Sequence, residues 1–584
     1  MGMLAIGLIG CRSAEDDATQ PAGSDVTQPV KDDATQPENE GGNDGTAAAG
    51  NIDDDGTATG EGEAIVTGDA GTTADDAATA LPTSAPARTS AGGEWSGMTA
   101  AEIVERMGVG ISIGNTFDAT GGNKTNIYSQ EKSWGNPIVT AEQIHTVAAG
   151  GFKTLRIPIT WMNHIDTADG YHIDEAWLAR IREIVDYAYD EGLVVIINLH
   201  HEDWINKADL DTEYASTGVE LGAVWKQIAA YFADYDQHLI FEVMNEPRMA
   251  GTDLEWSGNA AAYDAINYLN DIAVNAIRSS YAGYNQERAI MIPGYAASSS
   301  VSTMNRVEIP LVNGEQATNI IASVHGYTPY SFCLSDAQVD FDLNNTSDTS
   351  QIDSLFEGIY RVFISKGIPV VLGETGATNT KGNTEARENW AYYMAKAGAE
   401  YGVPTILWDN GATGMSGGEC HAYLDRKEGN GWYYPTVIAQ FVKGAEDAQW
   451  GSKSAAAVSI GTEGGVFWSE ESGRTSTAEW NADYIRITSY PDFYITGGSV
   501  EVTYTGSGQP KLMVDSSVHA QWWMPVDPDS IEERDGMKVA VFKVSSILKV
   551  TSGYGVTDLE DLRDICVLAT NGSITTYTIT AVAQ

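Results

Sequence analysis

The sequence predicts an α/β fold in which a (β/α)8 TIM barrel is followed by an all-β sandwich and preceded by a disordered acidic stalk. Three observations predict it. Eight short apolar runs, nearly all followed by an amphipathic helical run, lie between about residues 96 and 445. Beyond residue 455, short β-rich runs alternate with turn residues. Residues 12–93 contain almost no large apolar side chain. The expected boundaries are 1–11 for the remnant of a leader, 12–93 for the linker, 94–450 for the barrel and 455–584 for the sandwich.

The chain begins MGMLAIGLIGC, an apolar run too short to span a bilayer as a helix and of the size of a secretory h-region. LIGC resembles the lipobox of bacterial lipoproteins, which implies a lipidated Cys11, although no Lys or Arg precedes it. In the linker, DATQP, DVTQP and DATQP begin at residues 17, 25 and 33, a period of eight. Such a segment cannot bury enough apolar surface to offset its chain entropy, so it is expected to be extended and self-repelling. Behind a lipid-bearing cysteine it would hold the folded part away from a cell surface.

Expected barrel strands fall at 109–115, 152–161, 193–201, 238–247, 288–294, 320–327, 368–376 and 403–411. Expected helices fall at 140–151, 174–192, 220–235, 259–281, 350–367, 385–402 and 435–445. The strands are apolar throughout rather than alternating, as strands covered on both faces should be. A doubly wound open sheet would usually carry a glycine-rich phosphate loop after an early strand, and none is present. In the sandwich, DYIRIT, GSVEVTYTGSG, KLMVDS, VAVFKVS and SITTYTITAV read as strands. It holds Trp468, Trp480, Trp522 and Trp523. Neighbours on a strand point to opposite faces, so one of Trp522 and Trp523 should face outward.

The formal net charge is −48, which argues against nucleic acid or an anionic membrane surface as a partner. A neutral ligand is allowed, and 15 Trp and 27 Tyr suit sugars, whose C–H faces stack on flat rings. The spacing of Cys11, Cys333, Cys420 and Cys566 fits neither a zinc site nor a dense disulfide framework, and Cys333 and Cys420 could pair only if close in space.

In such a barrel, functional groups lie at the C-terminal ends of the strands. Reading them off in order collects Asn115, Arg156, His200, His201, Asn245, Glu246, His325, Tyr327, Glu374 and Trp408 on one rim. Glu246 and Glu374, ending strands 4 and 7, face each other across the mouth. Two facing carboxylates are the minimum equipment for cleaving a glycosidic bond, one protonated to serve the leaving oxygen and one ionised to attack the anomeric carbon. Arg156 is the candidate to keep Glu374 ionised, and the less compensated Glu246 is expected to have a raised pKa.

The motifs NTFDAT, SWGNP, TLRIPITW, NLHHEDW, FEVMNEPR, SVHGYTPYSF, VVLGETGA and LWDNG, in that order along residues 97–445, resemble glycoside hydrolase family 5. They resemble most its subfamily four, endo-β-1,4-glucanases that also accept xyloglucan and mixed-linkage glucan. The resemblance implies that Glu246 is the acid/base and Glu374 the nucleophile of a retaining double displacement. It implies a supporting shell of Arg156, His200, Asn245, His325, Tyr327 and Trp408, with His201 and Asn115 matching the motifs. In that shell Asn245 holds the sugar 2-hydroxyl, Tyr327 donates to Glu374, His325 bonds Glu246 and Trp408 stacks under the sugar. Trp134 and Trp204 would line neighbouring subsites. Ser112 departs from the bulkier Trp-Asn-Leu segment of relatives, which bears on the subsites rather than the chemistry.

The resulting expectation is an extracellular, surface-tethered, monomeric endo-β-1,4-glucanase with no cofactor and no metal. It would bind β-glucan at the barrel, and the sandwich would be a carbohydrate-binding module with Trp522 or Trp523 as its platform. β-Mannan is the alternative substrate, and a non-catalytic glycan-binding protein the alternative class. A metal-dependent hydrolase is a third option, but adjacent His200 and His201 should not both point inward on a regular strand, and no complete ligand set is visible.

Overall fold

The structure, a computed structural model, describes residues 87–583 except 124–125, 281, 428, 456–463, 478–483, 489–497, 517–520, 558–561 and 563. Cys11, Trp480 and nearly all of the expected linker lie outside the described residues.

Eight parallel strands close a barrel: β1 (Gly110–Ile113), β2 (Thr154–Ile157), β3 (Val194–Asn198), β4 (Leu239–Glu242), β5 (Ile290–Ser298), β6 (Ile320–His325), β7 (Val370–Thr375) and β8 (Thr405–Asp409). Each neighbours the next in the chain, and β8 closes on β1 with Ser112 beside Trp408. Connecting helices cover the outside: Ala141–Ala149, Glu175–Asp190, Leu210–Tyr231, Ala260–Ser279, Thr346–Val362, Thr384–Tyr401 and, after β8, Pro435–Asp447. After β5 the connection is only a four-residue helix, Val301–Met304, and a two-residue hairpin.

Strand periodicity explains how one barrel carries both an apolar core and a polar mouth. One set of strand residues, including Val195, Ile197, Phe241, Ile292, Val324 and Leu407, faces the helices. The alternate set faces inward. At the bottom it is apolar (Val194, Ile196, Ile240, Met291, Ile321, Val371 and Ile406), and the helix Ala100–Met107 plugs it with Ile103, Val104 and Met107. Two residues further up the same inner stripes stand Arg156, Asn198, Glu242, Ser323 and Trp408. The Ala100–Met107 helix is held at its start by a reciprocal capping box between Thr99 and Glu102.

The folded part starts before residue 94. Arg88 bridges to Tyr235, its amide donates to the Asp234 carbonyl at 2.6 Å, and the Ala91 amide donates to that of Tyr189 at 2.9 Å. These residues reach the barrel because the turns before β3 and β4 leave carbonyls free to accept them.

The C-terminal region is the expected sandwich. A five-stranded antiparallel sheet comprises Gly465–Ser476, Ser499–Gly506, Ser530–Arg534, Met537–Lys543 and Ile574–Val582. It shares one core with a four-stranded sheet of Ile485–Thr488, Gln509–Ser516, Gln521–Val526 and Asp564–Thr570. The run VAVFKVS ends as a helix rather than a strand, because Val544–Ser552 turns its apolar face, with Ile547, onto that core. Cys333, Cys420 and Cys566 are buried and, among the described residues, form no disulfide, so Cys333 and Cys420 do not pair.

One buried arginine sets the turn that feeds β4. Arg288 donates to the carbonyls of Phe232, Tyr235, Asp236 and Leu239 and to Asn285 Oδ1, at 2.7–3.2 Å. Arg288→Met strips these acceptors of a partner and should destabilise the protein by about 3 kcal/mol. Thermal unfolding followed by circular dichroism should show a midpoint several degrees lower; an unchanged midpoint would remove Arg288 from this role.

Candidate active site

Arg156 is the centre of the polar mouth. It is fully buried on β2. Its Nε donates to Glu242 Oε2 at 2.8 Å, Nη1 to Glu374 Oε1 at 2.8 Å and Nη2 to Asn245 Oδ1 at 2.7 Å. The guanidinium fork therefore spans the ends of β4 and β7. Glu242, the carboxylate the sequence reading passed over, is fully buried and also accepts from Asn198 Nδ2 at 2.9 Å and Ser323 Oγ at 2.6 Å. Its one available signal was a charge inside the apolar run LIFEV.

Glu374 receives a second donor on its other oxygen, the Tyr327 hydroxyl at 3.0 Å. Burial, with the Glu374 charge next, pushes that phenol well above its ordinary range, so it stays protonated as a donor. The Tyr327 ring stacks on His421, with centroids 5.7 Å apart, and His421 was not anticipated.

Glu246 sits just past β4, with His325 Nδ1 2.8 Å from its Oε1 and Arg248 Nη1 3.6 Å from its Oε2. A register shift between Val324 and His325 aims the imidazole at both acids, and its Nδ1 is 3.7 Å from Glu374 Oε2. The expected raised pKa for Glu246 is corrected. Burial alone would raise it, but the His325 hydrogen bond and the charges of His325 and Arg248 outweigh burial and hold the carboxyl below its ordinary value. Burial would lower His325, but the Glu374 charge and the Glu246 bond raise it. Glu246 and His325 therefore hold one proton between them, on the imidazole side in the free protein.

Oxygens of Glu246 and Glu374 and a ring nitrogen of His325 all lie within 4.8 Å of one another. Donor atoms of Asp118, His200 and His201 are equally close. Adjacent His200 and His201 need not diverge as strand neighbours do, because β3 ends at Asn198 and both lie beyond it. The Asp118 carboxylate is engaged by the amides of Asn115 and Thr116 at 2.9 and 2.8 Å, as a turn anchor. That turn puts Asn115 in the left-handed region, φ 54°, with its carbonyl bonded by Asn136 Nδ2.

The aromatic residues form a row. Trp134, 42% exposed, lies 5.5 Å from His201. His201 meets His200 edge-on at 4.4 Å, and His200 stacks parallel to Trp408 at 5.5 Å. Burial keeps both imidazoles neutral, pulling His201 down to about 4 and His200 well below its usual value. Trp408 lies across Gly114, where a Cβ would come within 2.6 Å of the indole. Trp204 donates Nε1 to Glu202 Oε2 at 2.9 Å, and Glu202, which also accepts from the Trp161 and Met162 amides, is another residue the sequence reading missed. In the sandwich, Trp522 is 46% exposed and Trp523 is half-buried against Tyr484. Both lie opposite the single residue Asp515 in a bulge that gives Trp523 φ 60°.

Titration of the ring protons by NMR should separate the histidines. His201 and His421 should stay neutral down to about pH 4, their burial costing the charged form, whereas His325 should protonate above the ordinary histidine value. A His325 titrating below about 6 would contradict the shared-proton description.

Residues 117–414 match the family model described as Cellulase (glycosyl hydrolase family 5). Endoglucanase A of Clostridium longisporum is 39% identical over 352 residues, 59% of this chain and 66% of the relative. Endoglucanase B of Neocallimastix patriciarum is 42% identical over 316 residues, 53% of this chain and 64% of the relative. This chain thus spans just under two thirds of the length of these two. Among solved structures, a GH5-4 broad specificity endoglucanase from Ruminococcus flavefaciens superimposes with a TM-score of 0.56 at 43% identity, over 60% of this chain and 99% of that one. The corresponding enzyme from Ruminococcus champanellensis, solved with bound cellotriose, gives a TM-score of 0.55 at 38% identity, over 59% of this chain and 98% of that one.

Proposed function

The chain belongs to glycosyl hydrolase family 5, and from that membership we propose that it is a retaining endo-β-1,4-glucanase acting on xyloglucan, mixed-linkage β-glucan and cellulose. The observation that carries the reading is the approach of the Glu246 and Glu374 oxygens to within 4.8 Å. Retention needs carboxyl groups about 5–5.5 Å apart, whereas inversion needs about 6.5–9.5 Å to admit a water.

In this reading Glu374 attacks the anomeric carbon and the glycosidic C–O bond breaks. The shared proton passes from His325 Nδ1 to Glu246 across their short contact as Glu246 gives a proton to the departing oxygen, which leaves His325 neutral and Glu246 ionised. Glu246 then takes a proton from water as that water displaces Glu374 from the glycosyl ester. Arg156 and Tyr327, each bonded to one Glu374 oxygen, aim it at the anomeric carbon and stabilise it again as a leaving group. Asn245, steadied by Arg156, is placed to meet the sugar 2-hydroxyl. The row from Trp134 to Trp408 would offer flat faces to successive sugars, and Trp204 would line a neighbouring subsite. The names of the similar proteins, endoglucanases in several genera and one solved with cellotriose, support β-glucan over mannan. The presence of both carboxylates disfavours a non-catalytic glycan-binding role.

Purified protein should release oligosaccharides from xyloglucan, mixed-linkage β-glucan and carboxymethyl cellulose, and less from mannan. Glu374→Gln should reduce release by at least about 10³-fold. Proton NMR of the first product should show the β-anomer ahead of mutarotation. An α-anomer appearing first would exclude retention, and mannan as the best polymer would replace the substrate.

The reading extends to the two ends of the chain. LIGC supports an extracellular enzyme tethered at Cys11. The sandwich acts as a carbohydrate-binding module, with exposed Trp522 stacking on a glucan chain and Trp523 supporting it. Affinity electrophoresis in xyloglucan gels should show the full chain carrying Glu374→Gln retarded, and the Glu374→Gln, Trp522→Ala chain migrating faster. Equal mobilities on every glucan would leave the sandwich a structural role.

A further inference from the structure

The buried carboxylate bonded to Arg156 has two oxygens, and only one of them serves the arginine. Glu242 Oε2 accepts from Arg156 Nε at 2.8 Å and from Asn198 Nδ2 at 2.9 Å. A glutamate needed solely to fix Arg156 would be complete with that oxygen. Oε1 turns instead to β6. There it accepts from Ser323 Oγ at 2.6 Å and lies 4.0 Å from His325 Nε2.

His325 thus stands between two acids. Its Nδ1 is 2.8 Å from Glu246 Oε1, and its Nε2 faces Glu242. Nε2 is buried, and among the described residues no partner lies within hydrogen-bond distance of it. Two strands build this approach. The register of β6 shifts between Ser323 and His325 against β5, and between Val324 and His325 against β7. On β7, Gly373 leaves room for the ring. A Cβ there would come within 3.1 Å of Nε2 and 3.2 Å of Ser323 Oγ.

The second nitrogen matters to the reaction. When His325 passes its Nδ1 proton to Glu246, the proton left on the neutral ring is the one on Nε2. A buried N–H with no hydrogen-bond partner is costly, and a nearby negative charge reduces that cost. An imidazole that moves a proton at one nitrogen is commonly oriented by a third group at the other.

Resting on the glucanase reading, we propose that Glu242 is a positioning residue for the proton transfer, whose Oε1 faces His325 Nε2–H and holds the imidazole as donor of its Nδ1 proton to Glu246. The charged and titratable groups around His325 are Arg156 from β2, His200 after β3, Glu242 at the end of β4, Glu246 beyond it and Glu374 from β7. Glu246 gains and loses a proton in each cycle, and Glu374 becomes an ester. Glu242 forms no bond in either step, so its charge acts on the ring throughout.

The test compares wild type, Glu242→Gln and Glu242→Asp in two measurements, the pH dependence of kcat/KM on mixed-linkage β-glucan and the NMR titration of the His325 ring. Glutamine keeps an oxygen for Arg156 and Asn198 and offers its amide to Ser323 Oγ, while removing the charge. Aspartate keeps the charge but withdraws it by one methylene. Losing a negative charge near Nε2 lowers the proton affinity of the ring. In Glu242→Gln the His325 titration and the alkaline limb should therefore move to lower pH together, by about one unit. Glu242→Asp should show a smaller displacement in the same direction. A residue that only fixes Arg156 gives a different pattern: kcat falls in both variants, more in the shortened Glu242→Asp, and neither the limb nor the titration moves. That pattern overturns the inference. Should Glu242→Gln not fold, the His325 titration in Glu242→Asp decides alone, and an unmoved titration overturns the inference. Wild type without activity on any β-glucan overturns the parent reading instead, and the ring titration still reports on Glu242, so the two failures are separable.

Discussion

A single guanidinium organises the mouth of this barrel. Arg156 lies inside the β-barrel with no exposed surface, and it bonds a carboxylate below it, a carboxylate across from it and an amide beside it. A buried cation with one anion would be neutral overall and would leave Glu374 shared with nothing else. With Glu242 as a second, permanently engaged partner, Arg156 is fixed in place whatever the state of Glu374. The attacking group can lose its charge without releasing the residue that aims it. The cost is the desolvation of three charged groups, which the three extra donors on Glu242 and Glu374 offset only in this geometry.

Much of this was legible in the chain. The eight barrel strands and the seven longer covering helices fall where apolar runs and helical spacing put them, because both periods are strong when a strand is covered on both faces. The rim was readable because strand ends in a closed parallel barrel share one side. Glu246, Glu374, Arg156, His325 and Tyr327 were therefore collected on one rim from their positions alone. Glu242 was not collected, since the strand expected over 238–247 placed it in the interior, whereas β4 ends at Glu242. His421 and Glu202 were missed for a related reason: one sits in a long loop after β8 and the other just past a strand end, and each is placed only by tertiary contacts.

The electrostatics were the least legible part. Counting charges by strand left Glu246 without a partner, which suggested a raised proton affinity. What decides its state is a one-residue shift in β6 that brings His325 within 2.8 Å. Linear sequence does not encode such a bulge openly. Trp522 is the outward member of its pair, as expected, but the bulge that sets two residues opposite Asp515 was not legible.

The route by which the chain enters the barrel has a mechanical consequence. Arg88 to Gly93 run along the floor, against the turns that precede β3 and β4, and the Ala100–Met107 helix seals the same end. The cleft opens at the opposite pole. The entry strand and the plug of Ile103, Val104 and Met107 thus brace one end of the barrel, while the rim that carries Arg156, Glu246 and Glu374 is built by the opposite strand ends and takes no part in that closure.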